Sequence, residues 1–183
     1  MNLRWEWRTF GDSFGAAERR LGSLHVESVV ESDETYLLSA ESRDAVKVRA
    51  GLMDVKHLER VDADGLELWK PVMKAALPIS AADALAVLGA LGVRAPLANG
   101  SYDLDGIAGL SSSVLVVPVH KTRRHFTFGG CMAELTDVRT GDRSTRTIAI
   151  ESEQPARVIA AVRELELDAR PNVSFPRRLK ALV

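Results

Sequence analysis

Charged side chains recur at a spacing of two residues in several short segments of the chain. Three such pairs are Lys47 with Arg49, Lys121 with Arg123, and Glu151 with Glu153. Residues two apart on a β-strand point to the same face. Lys and Arg side chains around one cavity would bind and orient a phosphate chain, and carboxylates beside them would hold Mg²⁺ or Mn²⁺. This combination is typical of phosphoryl transfer, in which positioning and charge stabilisation dominate.

The segment LRWEWRTF, residues 3–10, shows the alternation that would position such side chains. One face would carry Leu3, Trp5, Trp7 and Thr9, and the other would carry Arg4, Glu6, Arg8 and Phe10. A period of two predicts a strand with one buried face. The charged face would then look either at water or into a charged tunnel.

Two further segments add single charged residues to the set. Lys56 lies in DVKHL, and Glu134 lies in AELTD, where it shares its face with Thr136. One charged pair alone is typical of the solvated face of an antiparallel sheet. The whole set favours one shared cavity, because the basic and acidic pairs occur on different strands. The four histidines lack metal-ligand spacing, although His125 shares a face with Arg123.

The elements that would carry these residues are mostly strands. Strands are expected over residues 3–10, 23–32, 34–42, 44–51, 52–61, 65–72, 112–130, 131–142 and 143–153. Turns are expected at Ser32-Asp33 and Thr140-Gly141-Asp142, and Pro71 is expected to end its strand. Helices are expected over 11–22, 78–93 with Ser80 as N-cap, and 154–167. A basic group at the C-terminus, Arg177, Arg178 and Lys180, is expected on the solvated surface, with closure of one mouth of a tunnel as the alternative.

This pattern predicts an α+β fold with an antiparallel sheet that curls or closes, in one domain covering residues 1–183. The net charge of −1 argues against a general nucleic-acid-binding protein. The single cysteine, Cys131, rules out an intrachain disulfide and fits a reducing compartment. No apolar run is long enough for a membrane span or typical of a signal peptide, so a cytoplasmic protein is expected.

In their order along the chain, the charged segments resemble those of the CYTH superfamily, the triphosphate tunnel metalloenzymes. That family is marked by an N-terminal Glu-x-Glu-x-Lys strand, by basic pairs and by late Glu-x-Glu strands. The matching segments are Arg4-Trp5-Glu6-Trp7-Arg8, Lys47-Val48-Arg49, Lys56, Lys70, Lys121-Thr122-Arg123, Glu134-Leu135-Thr136 and Glu151-Ser152-Glu153. The resemblance implies an eight-stranded antiparallel β-barrel with flanking helices, whose tunnel binds a triphosphate with a divalent metal on its acidic side.

The resemblance also implies a role for each matching residue. The phosphate-binding residues would be Arg8, Lys47, Arg49, Lys56, Lys70, Lys121 and Arg123. The ligands of Mg²⁺ or Mn²⁺ would be Glu6, Glu134, Glu151 and Glu153, and the catalytic residues would be Glu6, Lys56, Glu151 and Glu153. The expected reaction is metal-dependent hydrolysis of tripolyphosphate or a small organic triphosphate. Replacing Lys121 with Ala is expected to weaken triphosphate binding and to leave folding intact.

Two departures from the family pattern keep other functions open. Arg4 replaces the first Glu of the motif and would repel a cation, and Thr136 replaces a frequent carboxylate. A tunnel that binds polyphosphate or a nucleotide without turnover is therefore an alternative. An adenylate-cyclase-like enzyme and a lipocalin-like barrel with an apolar cavity are further ones. The expected partner is a small polyanion, with no membrane or nucleic acid, and a homodimer is left open.

Overall fold

The computed structural model describes residues 2–183 and contains a closed barrel of eight antiparallel strands. Along the chain these strands are β1 (Arg4–Gly11), β2 (Ser28–Leu38), β3 (Ala45–Arg49), β4 (Leu52–Val61), β5 (Glu67–Ala76), β8 (Leu115–Phe128), β9 (Cys131–Thr140) and β10 (Arg143–Ser152). Between β5 and β8 the chain forms a separate two-stranded sheet of β6 (Ile79–Ser80) and β7 (Ser101–Tyr102). Around the barrel the order is β1-β10-β9-β8-β2-β3-β4-β5, and β5 pairs again with β1. The predicted antiparallel eight-stranded barrel is confirmed.

Five helices lie around this barrel. They are α1 (Ala16–Gly22), α2 (Ala81–Ala90), α3 (Leu104–Ala108), α4 (Pro155–Glu164) and α5 (Phe175–Lys180). The Ser80 hydroxyl accepts a hydrogen bond from the backbone N–H of Asp83 at 3.1 Å, as expected of an N-cap. None of the helices in residues 2–183 has the length and apolar character that a membrane crossing requires.

The alternation in β1 decides which residues face inward. Trp5 and Trp7 are buried in a cluster on the outer side of the barrel, where Leu21 of α1 and Val158 of α4 also pack. Because successive side chains of a strand point to opposite faces, Glu6 and its neighbours two residues away face the barrel interior. The predicted two-faced strand is confirmed, and Glu6 and Arg8 on its charged face point into the barrel, whereas Arg4 at its start is exposed.

Two boundaries differ from the sequence-based expectations. Ser32-Asp33 is not a turn, because β2 runs unbroken from Ser28 to Leu38 and pairs with β8 over its whole length. Asp33 lies opposite His120 in this ladder, and its carboxylate is 2.8 Å from the His120 Nδ1. Pro71 does not end β5, because it sits opposite Lys56 beside an irregularity in the β4–β5 register, a position where proline is tolerated.

The C-terminal segment closes one end of the barrel. The β1–β5 pairing stops at Glu6. Beyond that point the backbone N–H of Arg8 donates to Asn172 Oδ1 at 2.7 Å, and the carbonyl of Arg8 accepts from Val173 at 2.7 Å. This contact leads into α5, whose Phe175 and Leu179 pack against inward-facing residues of β2, β8 and β9. Of the three basic residues expected at the surface, Arg177 is exposed and Arg178 and Lys180 are half-buried, while the apolar side of α5 packs into the end of the barrel.

Candidate functional site

A charged cavity of about 320 Å³ occupies the half of the barrel that α5 does not fill. Ser174, Phe175 and Pro176 form part of its inner wall. A second cavity of about 290 Å³ shares several of its lining residues and adds Asn2, Arg4 and Pro71. The interior is therefore approached past Arg4 and is bounded at the other end by α5. Its charged lining is the opposite of the apolar cavity that a lipocalin-like barrel would have.

Basic side chains line the inner cavity from several strands. Of the predicted phosphate-binding residues, the structure brings together Arg8, Lys47, Arg49, Lys56, Lys121 and Arg123. Lys70 lies elsewhere: its side chain is half exposed on the outer face of β5 and is 3.3 Å from Glu59. The physical reason is strand parity, because Lys70 follows the inward-facing Trp69 and so points outward.

The predicted acidic residues are divided in the same way. Glu6, Glu134 and Glu151 line the cavity. Glu153 is exposed one residue beyond the end of β10, and its Oε1 accepts a hydrogen bond from Asn2 at 2.6 Å. Within residues 2–183, no three His, Cys, Asp or Glu side chains are grouped as ligands of a metal ion.

Arg8 connects two of these carboxylates. Its Nε donates to Glu6 Oε1 at 2.9 Å, and its Nη1 donates to Glu134 Oε1 at 3.2 Å. Burial raises the pKa of Glu134, but Arg8, the His125 ring 3.6 Å away and a hydrogen bond from Thr136 outweigh burial and hold that pKa well below its usual range. Thr136, where the family pattern often has a carboxylate, therefore supports Glu134 as a hydrogen-bond donor at 2.6 Å. Arg8 and Thr136 thus both donate to Glu134 Oε1.

Glu6 and Glu151 form a carboxyl pair at the mouth side of the cavity. They lie directly opposite each other on β1 and β10, and both line the cavity. Burial and the nearby charge of Glu6 raise the pKa of Glu151, whereas Arg8 outweighs burial and lowers the pKa of Glu6. The Arg4 guanidinium is 3.9 Å from Glu151 Oε2 and 44% exposed. Arg4 thus brings a positive charge to the carboxyl pair.

Glu34 is the residue that the sequence analysis missed. Its side chain is 0% exposed, and it lies at the centre of the basic group. Lys47 Nζ is 3.2 Å from Glu34 Oε2, Lys121 Nζ is 2.8 Å from the same oxygen, and Arg49 Nη1 is 3.6 Å from Oε1. Arg123 donates a further charged hydrogen bond to Oε1. Burial raises the pKa of Glu34, but Lys121, Lys47 and Arg123 together lower it far more.

Lys121 is the most enclosed of the basic residues, with a side chain that is 2% exposed. Its Nζ donates to Glu34 Oε2 at 2.8 Å and to the Tyr36 hydroxyl at 2.7 Å. The same nitrogen lies 3.5 Å from the centre of the Phe175 ring, a cation–π contact. Burial and Lys47 lower the pKa of Lys121, and Glu34 opposes that shift. All three donor positions of its ammonium are therefore occupied by the protein.

Known structures share this architecture. A candidate adenylyl cyclase from Hippeastrum with a dominant triphosphatase activity matches with a TM-score of 0.57 at 14% identity, over 99% of this chain and 94% of that one. A candidate adenylate cyclase from Bacillus halodurans matches with a TM-score of 0.55 at 13% identity, over 97% of this chain and 98% of that one. Neither a family model nor a curated protein matches the chain in sequence.

The chain has the CYTH fold. At 13–14% identity the structural matches establish the fold and not the reaction. The fold expected from the charged segments is thereby confirmed, whereas the role of each residue in the CYTH tunnel remains a prediction.

The CYTH barrel of this chain holds a third buried carboxyl beside the Glu6 and Glu151 pair. Glu67 of β5 lies opposite Glu6 and is 4% exposed. Among residues 2–183, no group makes a hydrogen bond of ordinary geometry with its Oε2. Burial and the charge of Glu6 raise the pKa of Glu67 to about 7. The folded protein therefore favours the protonated form of Glu67.

We expect Glu67→Gln to stabilise the protein at pH 8 and to leave its stability unchanged at pH 4. The pKa of Glu67 is about 7 in the folded protein, against an ordinary value of 4.5. As the pH rises between those values, the free energy of unfolding falls, because the unfolded chain binds fewer protons than the folded protein does. The gain at pH 8 is at most about 3 kcal/mol. Urea unfolding of both proteins at the two pH values measures it, with exposed Glu153→Gln as control. An equal effect at pH 4 and pH 8 would contradict the titration.

Other cavity residues were not found from the sequence either. Asp54 lines the cavity opposite Lys47. The alternation of LMDVK places Asp54 on the same strand face as Lys56, so this residue could have been predicted. Trp69 lines the cavity as well, although tryptophans between apolar residues more often pack beneath helices. Tyr36 and Phe175 come from segments whose inward direction depends on the closure of the barrel and on the docking of α5, which no local pattern shows.

Proposed function

We propose that this protein binds a linear triphosphate in the charged cavity and hydrolyses one of its phosphoanhydride bonds. The observation that carries the proposal is the convergence of six Lys and Arg side chains on one enclosed cavity. Such a group matches the several charged oxygens of a phosphate chain better than it matches a single carboxylate or phosphate. The triphosphatase activity of the Hippeastrum relative supports the same reaction for this chain.

Lys56 is the residue best suited to contact the ligand directly. It lines both cavities, and no carboxylate of residues 2–183 lies within ion-pair distance of its ammonium. Arg49 is 41% exposed and shares Glu34 with three other cations. These two side chains keep donors free, whereas Lys121 does not. We assign Lys56 and Arg49 to phosphate contact, with Arg8, Lys47 and Arg123 shaping the positive wall around them.

A divalent cation, Mg²⁺ or Mn²⁺, fits two of the four predicted ligands. Magnesium is commonly held by one or two carboxylates together with phosphate oxygens and water. Glu6 and Glu151 offer such a pair, because they lie opposite each other on neighbouring strands and both line the cavity. Bound there, the cation would neutralise phosphate oxygens and acidify water. Glu134 accepts from both Arg8 and Thr136, whereas the Glu6 side chain accepts from Arg8 alone among residues 2–183, and Glu153 lies outside the cavity.

The chain's own residues account for the rest of the proposed reaction. The basic side chains position the phosphate chain and neutralise the charge that moves onto the leaving oxygens. In the absence of a cation, burial and Glu6 raise the pKa of Glu151 to about 7. Glu151 would lose that proton on binding a cation, so it would act as a ligand and not as a proton donor. Closure of the barrel end by α5 limits the entry of water from that side.

A second candidate function is polyanion binding without turnover. It is favoured by Arg4, whose guanidinium is 3.9 Å from Glu151 and competes with a metal for that carboxylate. Release of inorganic phosphate from tripolyphosphate across a Mg²⁺ and Mn²⁺ series separates the two functions. Metal-dependent release supports the hydrolase, tight binding without release supports the binding protein, and pyrophosphate with a cyclic nucleotide from ATP would indicate a cyclase.

Lys56→Ala is expected to weaken tripolyphosphate binding by roughly ten- to a hundredfold, the usual effect of losing charge-assisted hydrogen bonds. Its stability should change little, because Lys56 has no buried partner to leave behind. Titration calorimetry in EDTA measures binding without turnover. Lys70→Ala is the matched control, because Lys70 lies on the same β4–β5 hairpin but points outward. Equal affinities of the two variants would contradict the assignment of the cavity.

A further inference from the structure

The Glu34 carboxylate stands where an anionic ligand of the basic group would otherwise stand. Four cationic side chains converge on its two oxygens, from β3 and β8 on either side of β2. The Glu34 side chain is 0% exposed, so groups of the protein and not water surround its charge. The fold therefore supplies from within the anion that the inner basic residues surround.

The same carboxylate removes donors from the inner end of the cavity. Lys121 has every donor position occupied, as described above. Arg123 donates from Nη1 to the Ser32 hydroxyl at 2.7 Å and from Nη2 to Glu34, and its Nε faces Glu134 at 3.8 Å. A phosphate chain that entered the cavity would meet the Glu34 charge behind these residues. Two anions competing for one set of cations weaken each other's binding.

We propose that Glu34 is a built-in counter-anion that replaces part of a polyanionic ligand in the empty tunnel, so that its charge stabilises the unliganded fold and limits the affinity for phosphate chains. This inference rests on the proposed function, because it takes a phosphate chain as the ligand. It makes Glu34 a positioning residue and not a catalytic one, since the carboxylate reaches the ligand through the basic side chains.

The free-energy consequence follows from linkage. Without the Glu34 charge, the unliganded protein loses the buried anion that Lys47, Lys121 and Arg123 all contact, which is strongly destabilising. A bound phosphate chain would restore the missing charge, so the liganded protein should lose less than the unliganded one. The difference between these two losses appears as tighter binding. Because Glu34 and the phosphate chain would contact the same basic side chains, we expect Glu34→Gln to increase the affinity for tripolyphosphate about tenfold.

The experiment compares the whole wild-type protein with Glu34→Gln, which keeps the shape of the side chain and removes its charge. Titration calorimetry with tripolyphosphate in EDTA, at fixed ionic strength, gives the two affinities. Glu34→Asp keeps the charge and should stay close to wild type. Glu67→Gln is the matched control, because Glu67 is another buried carboxyl of the barrel but is not paired with the basic group. Its affinity should be that of wild type.

Every outcome bears on the proposal. If Glu34→Gln binds tripolyphosphate more tightly than wild type and Glu67→Gln do, the result supports the counter-anion proposal. If in addition wild type binds too weakly to measure, the proposed function is contradicted and the counter-anion proposal still stands. Unchanged or weaker binding by Glu34→Gln, with normal binding by wild type, overturns the counter-anion and leaves the proposed function standing. Failure of both proteins to bind overturns both.

A folding measurement covers the case in which Glu34→Gln is unstable. Thermal unfolding is recorded with and without tripolyphosphate, and with NaCl at matched ionic strength. The proposal expects the upward shift caused by tripolyphosphate to be larger for Glu34→Gln than for wild type, with NaCl producing no such difference. A variant that remains unfolded in saturating tripolyphosphate would show that the role of Glu34 is purely structural and would overturn the proposal.

Discussion

Lys121→Ala is expected to lower the free energy of unfolding by about 3–5 kcal/mol, because it breaks a buried charge network by removing one partner. The ammonium contacts Glu34, Tyr36 and the ring of Phe175, and its side chain is 2% exposed. The Phe175 contact also ties β8 to α5, so the loss should loosen the closed end of the barrel. Urea unfolding of the variant and of wild type measures the effect.

The control for this prediction is Lys70→Ala, since Lys70 is half exposed and its ion pair with Glu59 lies at the surface. Surface ion pairs contribute about 0–1 kcal/mol, so the two lysines should differ severalfold in their effect. Lys121→Met keeps the apolar stem against Phe175 and should recover part of the loss. A cost for Lys121→Ala as small as that for Lys70→Ala would contradict the buried network.

This expectation reverses part of what the sequence analysis predicted for Lys121. The HKTRR segment correctly indicated that Lys121 and Arg123 point the same way into the barrel. A strand pattern gives direction only, and it does not tell how deep along the barrel a residue lies. Depth decides the role here, because α5 fills the end that Lys121 faces. A residue predicted to contact the ligand is thereby also a buried part of the fold.

The sequence was most informative where hydrophobic alternation is strong. In β1 the two tryptophans determine the outer face, so the inward direction of Glu6 and Arg8 follows. The same parity argument would have placed Lys70 outside, because Lys70 shares its face with Leu66 and Leu68. The resemblance to a family motif suggested the opposite, and strand parity was the better guide.

Glu34 was missed because its segment looks locally like a turn. The residues ESDET carry little strand propensity, and yet they belong to an eleven-residue strand that pairs with β8 over its full length. Only the partner strand makes this segment extended. The direction of Glu34, and with it the balance of charge in the cavity, is therefore a property of the closed barrel and not of the segment.

Arg4→Glu is expected to raise the affinity for Mn²⁺ at least tenfold. The substitution removes a positive charge 3.9 Å from Glu151 and adds a carboxylate two residues from Glu6 on the same strand face, which gives a hard cation a third oxygen donor. A change from repulsion to attraction at this distance is worth more than the 1.4 kcal/mol that corresponds to tenfold, even at the dielectric constant of a protein surface. Direct Mn²⁺ titration by electron paramagnetic resonance measures binding without any substrate.

Two controls separate the possible causes of such a gain. Arg4→Gln removes the positive charge without adding a ligand and should give an intermediate affinity. Arg60→Glu makes the same charge change outside the cavity, where Arg60 lies over the ring of Trp5, and should leave Mn²⁺ binding unchanged. Equal affinity of wild type and Arg4→Glu would show that the Glu6 and Glu151 pair does not bind the metal. The metal-dependent reaction would then lose its structural basis, and the binding protein without turnover would be the better description of this tunnel.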